Sequence, residues 1–137
     1  MLKPEEIVIE KMLAEDAYSQ WLGIKIETIS LGYAKISMTI RAEMLNGFKI
    51  AHGGISFGFA DSAFAFASNS RGRHAYSIET GINHLEKLKE GETIFAEATE
   101  EYFNDKLGKY RVEVTRSGGS LVALFHGMVY RTQKLWE

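Results

Sequence analysis

One stretch of the chain limits the possible folds more than any other, because it is apolar at almost every helical position. Between Ile55 and about Arg71, Asp61 is the one charged residue before the final arginine, and apolar side chains recur at helical spacing on two adjoining faces. Its phenylalanines also alternate as in a buried strand, but the length of the stretch and its interleaved alanines favour a helix. We predict a helix that is buried on nearly all sides and that ends at Gly72.

Four segments after this helix have the composition of β-strands. They are predicted at residues 76–85, 92–103, 107–116 and 121–132. The clusters at 104–106 and 117–120 are typical of hairpin turns. Because the connections are short, we expect the four strands to form an antiparallel meander.

The residues before the central helix predict an outer helix, a hairpin and a loop. A proline followed by two acids at residues 4–6 is typical of a helix start and predicts an N-terminal helix over about 5–19. Alternating apolar residues over 24–40, broken at Gly32, predict a hairpin. Residues 42–54 are irregular and are interpreted as a loop that leads into the central helix.

Together these elements predict an α+β fold in one domain, residues 1–137. A chain of this length buries roughly two-thirds of its unfolded surface, which is enough for one core. A curved antiparallel sheet needs an apolar cover for its concave face, and the helix at 55–71 is the segment that is long and apolar enough. We therefore expect a curved antiparallel sheet wrapped around a long central buried helix, with its core over about 21–132.

Composition excludes several classes of protein. The chain has no cysteine, which rules out a disulfide scaffold and a thiol nucleophile and makes the cytoplasm the expected location. A net charge of −2 without a basic block argues against a nucleic-acid partner. No run approaches the roughly 20 apolar residues of a membrane span, so we expect no membrane contact. The four histidines show no close ligand spacing, so neither a metal nor a cofactor is expected.

Asp61 is a carboxylate among apolar neighbours, with Phe59 and Ala63 on either side. Burying a carboxylate is costly unless it is paired, and desolvation raises its pKa. Two interpretations stay open at this point. Asp61 has a chemical function, or it is structural and faces water or bonds a hydroxyl such as that of Ser62 or Ser56.

The loop at 46–54 ends in the paired glycines Gly53 and Gly54. Glycines at a helix start let a ligand approach the free N–H groups, which together with the helix dipole favour a developing oxyanion. This chemistry suits attack on a carbonyl group. The glycines could instead only turn the chain into the helix, and a phosphate loop is a weaker alternative because the sequence lacks the Walker ending.

Asn46, His52, Gly53 and Asp61, on a loop that enters a buried helix, resemble the matching residues of the hotdog-fold acyl-CoA thioesterases. More specifically, the chain resembles the phenylacetate-pathway branch, the PaaI-type enzymes, over about residues 21–131. Three further stretches carry the resemblance: Asp61–Ala65 through Asn69-Ser70, Ile82–Leu85, and Leu121–Ala123 leading to Gly127.

The resemblance implies a role for each of these residues. Asp61 would be the nucleophile or general base, and the N–H of Gly53 would polarise the thioester carbonyl, with Gly54 as a further substrate contact. Asn46 would orient the reacting groups, and His52 would shape the turn. The implied reaction is hydrolysis of an acyl-CoA thioester to the free acid and CoA.

Residues on the strand after the helix extend this comparison. The family often has a hydroxyl there that places water, which implies a substrate contact for Ser77. The family commonly has Tyr and Pro where this chain has His84 and Lys87, so the ligand contacts at that strand end are expected to differ.

Two groups of side chains suit the two parts of such a substrate. An aryl-acetyl or medium acyl group would fit an aromatic set that core packing explains equally well: Phe57, Phe59, Phe64 and Phe66. Basic residues are available for the CoA phosphates, although each taken singly is better explained as a solvated charge: Arg71, Arg73, Lys106, Lys109 and Arg111.

Helix geometry predicts that two copies of the chain form the site. Eight residues of helix separate Gly53 from Asp61 by roughly 12 Å, too far for both to act on one carbonyl. Two helices packed about a twofold axis would bring Asp61 of one subunit beside Gly53 of the other. We expect a homodimer whose monomer is inactive, and the family resemblance implies that such dimers pair into tetramers.

Two other functions are compatible with the same fold. One is a dehydratase of hydroxyacyl thioesters, but the paired glycines fit hydrolysis better. The other is a non-catalytic domain that binds or senses acyl-CoA, since fold alone does not define function. Asp61 argues against this second alternative, because binding needs no carboxylate at the thioester.

Overall fold

Six antiparallel strands form one sheet that curves around a long central helix. The computed structural model describes residues 1–137. In chain order the elements are a π-helical segment Glu6–Met12, a 3-10 segment Leu13–Glu15, helix α1 Ala17–Leu22, strands β1 Lys25–Ser30 and β2 Tyr33–Thr39, a 3-10 turn Ala42–Met44, helix α2 Gly53–Asn69, and strands β3 Arg73–His84, β4 Thr93–Phe103, β5 Leu107–Arg116 and β6 Leu121–Leu135. The predicted α+β class, a curved sheet around a buried helix, is confirmed.

The order of strands across the sheet is β1-β2-β4-β5-β6-β3. Strands β4, β5 and β6 follow one another through the two predicted hairpins, whereas β3 pairs with β6 and not with β4. The prediction of a four-stranded meander is therefore wrong for β3. Helix α2 carries the chain across the sheet to its far edge, and the connection at 85–92 brings it back so that β4 pairs with β2.

The sheet buries one side of α2 through large aromatic side chains. Phe59, Phe64 and Phe66 are at most 1% exposed, and Tyr110 and Phe125 of the sheet are buried with them. The ring of Phe64 lies 5.5 Å from that of Phe125 and 5.8 Å from that of Tyr110. Burying a phenylalanine contributes roughly 1.5–3 kcal/mol, so these rings hold the helix against the sheet. No helix, α2 included, has the length and apolar character that crossing a membrane requires.

A narrow outward stripe of α2 is not completely covered by the sheet. Phe57, Gly58, Asp61 and Ala65 are half-buried, whereas the other residues of Ile55–Asn69 are buried. These four positions are one, three or four residues apart, which places them along one face of the helix. The stripe is the part of the helix body that a ligand or a second chain can reach.

Side chains tie the end of α2 to the neighbouring strands. Asn69 Oδ1 accepts a hydrogen bond from the Ala75 N–H at 3.0 Å, and Asn69 Nδ2 donates to the Ala75 carbonyl at 3.1 Å. Ser70 Oγ accepts from the N–H of Gly32 at 2.8 Å. The helix ends at Asn69, and Gly72 then turns the chain into β3 with φ at +104°, a conformation that favours glycine.

The N-terminal segment is broken and does not form the single helix expected over about 5–19. A π-helical and a 3-10 segment end at Asp16, and α1 starts after it. The Asp16 carboxylate accepts hydrogen bonds from the N–H of Ser19 at 2.9 Å and from its hydroxyl at 2.5 Å. An aspartate bonded in this way caps a new helix, which explains the break. Ser19 Oγ also lies 2.8 Å from Ser62 Oγ and thereby joins α1 to α2.

Candidate active site

Asn46 stabilises the loop before α2 through hydrogen bonds within the loop. Its N–H donates to the carbonyl of Ile50 at 2.8 Å, and its Oδ1 accepts from the N–H of Phe48 at 2.9 Å. Lys49 has φ at +62°, which lets the chain reverse within this short loop. Because the side-chain oxygen of Asn46 is used within the loop, its Nδ2 group is the part that can donate to a ligand.

His52 caps the start of α2. Its backbone is extended, and its Nδ1 accepts a hydrogen bond from the N–H of Gly54 at 2.9 Å. This bond occupies the N–H of Gly54 and places the proton of the neutral imidazole on Nε2. The N–H of Gly53, the first of the helix, has no hydrogen-bond partner. Of the two glycines, Gly53 therefore keeps the N–H that can bind a ligand oxygen.

A cavity of about 280 Å³ opens beside Gly53. Asn46, Ser56 and His84 line it together with this glycine. A Cβ at position 53 would lie 3.3 Å from Nε2 of His84, so glycine leaves room for the imidazole beside the unpaired N–H. The structure thus brings together the predicted residues Asn46 and Gly53 and adds His84 and Ser56, which were not predicted as site residues.

Asp61 is a half-buried carboxylate that no hydrogen bond satisfies. Burial raises its pKa, and the negative charge of Asp16 raises it further. The structural alternative in which Ser62 or Ser56 bonds Asp61 does not hold, because no such bond forms and the Ser62 hydroxyl is paired with Ser19. The other form of that alternative, in which Asp61 faces water, is compatible with its half-buried position. An unpaired carboxylate in this position is suited to act as a base or a nucleophile.

Gly53 and Asp61 are too far apart to act together within one chain. They are eight residues apart on α2, which corresponds to roughly 12 Å. A donor and a carboxylate that act on one carbonyl group must each lie about 3 Å from it. One chain therefore presents the two predicted groups at separate places.

Comparison with models of protein families shows the relationship of this chain. Residues 48–123, more than half of the chain, match the model described as the thioesterase superfamily. The chain belongs to the thioesterase superfamily. This membership and the relatives described next confirm the predicted hotdog fold and thioester-hydrolase activity.

Individual relatives cover most of this thioesterase. The acyl-coenzyme A thioesterase PaaI of Escherichia coli K12 is 38% identical over 120 residues, 88% of this chain and 86% of that protein. A putative esterase of Archaeoglobus fulgidus is 40% identical over 129 residues, 94% of this chain and 84% of that protein. The solved structure of the E. coli PaaI protein from the phenylacetic acid degradation operon superposes with a TM-score of 0.92, at 34% identity and 96% coverage of both chains.

Ser77 of the thioesterase does not line the cavity at Gly53. It is exposed on β3, opposite Val129 of β6. A strand rises about 3.3 Å per residue, so the seven residue steps from Ser77 to His84 span roughly 23 Å. Within one chain, Ser77 is therefore remote from the unpaired N–H of Gly53.

A second cavity of the thioesterase, of about 300 Å³, also reaches the start of α2. Tyr18 and Trp21 of α1 line it together with His52 and Gly54. The two aromatic rings are stacked, with 6.3 Å between their centroids. The sequence pattern does not indicate these rings as site residues, because it predicts only the end of an outer helix in this region.

Most of the phenylalanines considered for the acyl group belong to the core. Phe59, Phe64 and Phe66 are at most 1% exposed and cannot contact a substrate in this structure. Phe57 is half-buried on the outward stripe, and its ring meets that of Phe125 edge-on at 5.5 Å. Core packing, the alternative considered for this aromatic set, is therefore what the structure shows for the three buried rings. An all-round apolar helix does not reveal from its sequence which side stays open.

Most of the basic residues considered for CoA are ion-paired within the thioesterase. Arg71 donates to both carboxylate oxygens of Glu100 at 2.8 Å. Three further pairs are Arg73–Asp105 at 3.1 Å, Lys109–Glu101 at 2.6 Å and Arg111–Glu113 at 3.3 Å. These pairs favour a structural role for the four residues. No group of three or more His, Asp and Glu side chains is placed to hold a metal ion.

Proposed function

We propose that this thioesterase acts as a single hotdog domain that hydrolyses acyl-CoA to the free acid and CoA. The observation that carries the proposal is that one helix has two groups without a hydrogen-bond partner. One is the N–H of Gly53 at its start, and the other is the carboxylate of Asp61 on its outward stripe. The name of the 38% identical E. coli relative, an acyl-coenzyme A thioesterase, supports CoA as the thiol part of the substrate.

The N–H of Gly53 binds the thioester oxygen in the proposed complex. Negative charge develops on that oxygen when the carbonyl carbon is attacked, and the dipole of a 17-residue helix stabilises it further. Nδ2 of Asn46 orients the substrate from the same cavity. His52 contributes by fixing the loop through its bond to the Gly54 N–H.

Asp61 supplies the attack on the thioester carbon by one of two routes. As a general base it takes a proton from water, the water oxygen bonds to the carbonyl carbon, the C–S bond breaks, and the proton passes to the CoA sulfur. As a nucleophile its oxygen displaces CoA and forms a mixed anhydride, which water then hydrolyses. The sum of either route is acyl-CoA plus water giving acid plus CoA.

The active unit in this proposal is a homodimer with two shared sites. Asp61 of one subunit acts with Gly53 of the other, since one helix separates them by roughly 12 Å. Strand β3 supports this assembly because its outer edge is unpaired and bears the exposed side chains of Tyr76 and Ile78. An exposed apolar edge is normally covered by another chain or element. Further pairing into tetramers stays a prediction.

The acyl group is proposed to be aryl-acetyl or medium-chain. Support comes from a Thermus thermophilus structure described as the phenylacetic acid degradation protein PaaI, which is 38% identical, covers 85% of this chain and all of that one, and has a TM-score of 0.82. Phenylacetyl and hydroxyphenylacetyl groups are therefore the first to test, with benzoyl and hexanoyl for comparison.

Thiol release from this panel, with the wild type beside Asp61→Asn, tests the proposed function. We expect the wild type to release CoA and the variant to bind acyl-CoA without releasing it. Circular dichroism and thermal denaturation confirm that the variant is folded. Binding without turnover by the wild type would favour an acyl-CoA sensor, and conversion of hydroxyacyl to enoyl thioesters would favour the dehydratase.

A further inference from the structure

Tyr18 of α1 packs against a glycine in the middle of α2. Helix α1 is fixed to α2 through the Ser19–Ser62 hydroxyl pair, and the ring of Tyr18 lies against Gly58. A Cβ at position 58 would collide with the Tyr18 hydroxyl oxygen and would lie 2.7 Å from Cε2 and 2.8 Å from Cζ, closer than real contacts allow. The middle of α2 therefore has a glycine where an alanine would be a better helix former, and the space is taken by Tyr18.

The place that Tyr18 covers is next to Asp61. Gly58 and Asp61 are three residues apart and lie on the same outward stripe, so the Tyr18 side chain approaches the carboxylate from the side of α1. Burial and the charge of Asp61 raise the pKa of Tyr18, which keeps its hydroxyl protonated near neutral pH. Tyr18 is nevertheless 48% exposed, so the stripe beside it is open to solvent.

Tyr18 differs from the other tyrosines that face a carboxylate. The hydroxyl of Tyr33 donates directly to Glu97 at 2.5 Å, and that of Tyr110 donates directly to Glu100 at 2.6 Å. No direct hydrogen bond joins Tyr18 to Asp61. A donor that faces a carboxylate beyond hydrogen-bond distance is suited to share a water molecule with it.

We propose that Tyr18 is a positioning residue whose hydroxyl donates a hydrogen bond to the water molecule that reacts beside Asp61. The inference rests on the proposed function of Asp61 and deepens it. A water molecule must react beside this carboxylate whether Asp61 is the base or the nucleophile, so the role of Tyr18 is the same in both routes. Gly58 contributes to this role because it has no side chain and so leaves space for the Tyr18 ring.

Tyr18→Phe is the first test, because it removes the hydroxyl and keeps the ring. We expect kcat to fall about 3- to 10-fold, the effect of losing one hydrogen bond to a neutral water molecule, with KM within about twofold of the wild type. Thermal stability should be unchanged. Tyr102→Phe, at an exposed tyrosine near the end of β4, is the matched control and should leave kcat unchanged.

The acid limb of the pH profile of kcat/KM separates positioning from packing. Asp61 must be ionised to act; burial and the charge of Asp16 raise its pKa, and the charge of Asp61 in turn raises the pKa of Tyr18. In the proposed complex the water molecule held by Tyr18 donates to the ionised carboxylate, so losing the Tyr18 hydroxyl weakens the stabilisation of the ionised form and moves the acid limb to higher pH. A change in packing alone would leave it in place.

Gly58→Ala gives an independent test, since its Cβ displaces the Tyr18 ring. We expect kcat to fall at least as far as in Tyr18→Phe, and adding Tyr18→Phe to Gly58→Ala should change kcat by less than about twofold, because the two changes remove the same interaction.

The outcomes distinguish this inference from the proposed function. If Tyr18→Phe keeps kcat and the acid limb while Asp61→Asn is inactive, the role of Tyr18 is wrong and the proposed function stands. A raised KM with unchanged kcat would make Tyr18 a substrate contact and would also overturn the positioning role. If Asp61→Asn is fully active, the proposed role of Asp61 fails and the role of Tyr18 fails with it, whereas the proposed hydrolysis fails only if the wild type releases no CoA.

Discussion

Replacing Gly53 by proline removes the N–H group on which the proposed carbonyl activation depends. The fold should tolerate this change, because Gly53 is the first residue of α2 and the first helical position accepts proline. His52 before it has φ at −61° and ψ at +141°, the extended conformation that a residue preceding proline requires. The N–H that is lost has no partner in the fold, so no structural hydrogen bond is broken.

The expected loss of activity follows from the role of that N–H. Removing one donor to a developing oxyanion lowers kcat about 100- to 1,000-fold, equivalent to about 2.7–4 kcal/mol of transition-state stabilisation. Proline also adds a Cβ, which would lie 3.3 Å from Nε2 of His84 and would require the imidazole to move by a few tenths of an ångström. Gly53→Ala adds the same Cβ and keeps the N–H, so it measures the effect of the Cβ on its own and should retain kcat within about tenfold.

Steady-state thiol release gives kcat and KM for both variants, and circular dichroism with thermal denaturation shows that both are folded. The reasoning predicts that Gly53→Pro loses much more kcat than Gly53→Ala. Equal losses in the two variants would refute it, because the N–H would then contribute nothing beyond the steric effect.

The same variant tests whether two chains share each site. Gly53→Pro and Asp61→Asn are both expected to be inactive as homodimers. A mixed dimer has one site with intact Asp61 and Gly53 and one site that lacks both. Random assembly makes half of the dimers mixed, so an equal mixture should recover about a quarter of wild-type activity. No recovery in a mixture that demonstrably forms mixed dimers would place both groups in one chain.

Two further predictions concern stability. Asp61→Asn should stabilise the fold, because burial and Asp16 raise the pKa of Asp61 and the ionised carboxylate therefore opposes folding. The gain in stability should be absent below the usual aspartate pKa of about 3.9, grow as the pH rises through the raised pKa, and level off above it. Thermal denaturation across this pH range measures the gain, and a gain that does not grow with pH would contradict the prediction. Asn69→Ala should lower the free energy of unfolding by about 2–3 kcal/mol in urea denaturation, since the N–H of Ala75 and the indole N–H of Trp136 both lose their acceptor. A loss below about 0.5 kcal/mol would show that water replaces Asn69.

Local patterns predicted the elements of the fold better than their arrangement. Helix α2 and the hairpins are each encoded by neighbouring residues, through helical spacing in one case and turn residues in the other. The position of β3 in the sheet depends on where the chain leaves α2, and no local sequence pattern encodes that. Its pairing with β6 joins residues as distant as Arg73 and Leu135 and was therefore missed.

The candidate site was predicted in part for the same reason. Asn46 and Gly53 lie on one loop, so sequence proximity brought them together. His84 reaches Gly53 only through the fold, 31 residues further along the chain, and Tyr18 reaches Gly58 from 40 residues before it. The one local signal was Gly58 itself, a glycine in a helix interior that costs about 1 kcal/mol relative to alanine and needs a reason.

The proposed site coincides with the places where α2 departs from what makes a stable buried helix. Gly53 leaves an N–H without a partner, Gly58 weakens the helix interior, and Asp61 is a carboxylate without a hydrogen bond. Each departure is unfavourable by itself, and packing against the sheet offsets all three. Because Gly58 and Asp61 lie on the stripe that the sheet leaves open and Gly53 lies at the open start of the helix, these departures occur where a substrate and a second chain can reach them. A helix selected only to fill the sheet would have alanine at position 58 and an apolar residue at position 61.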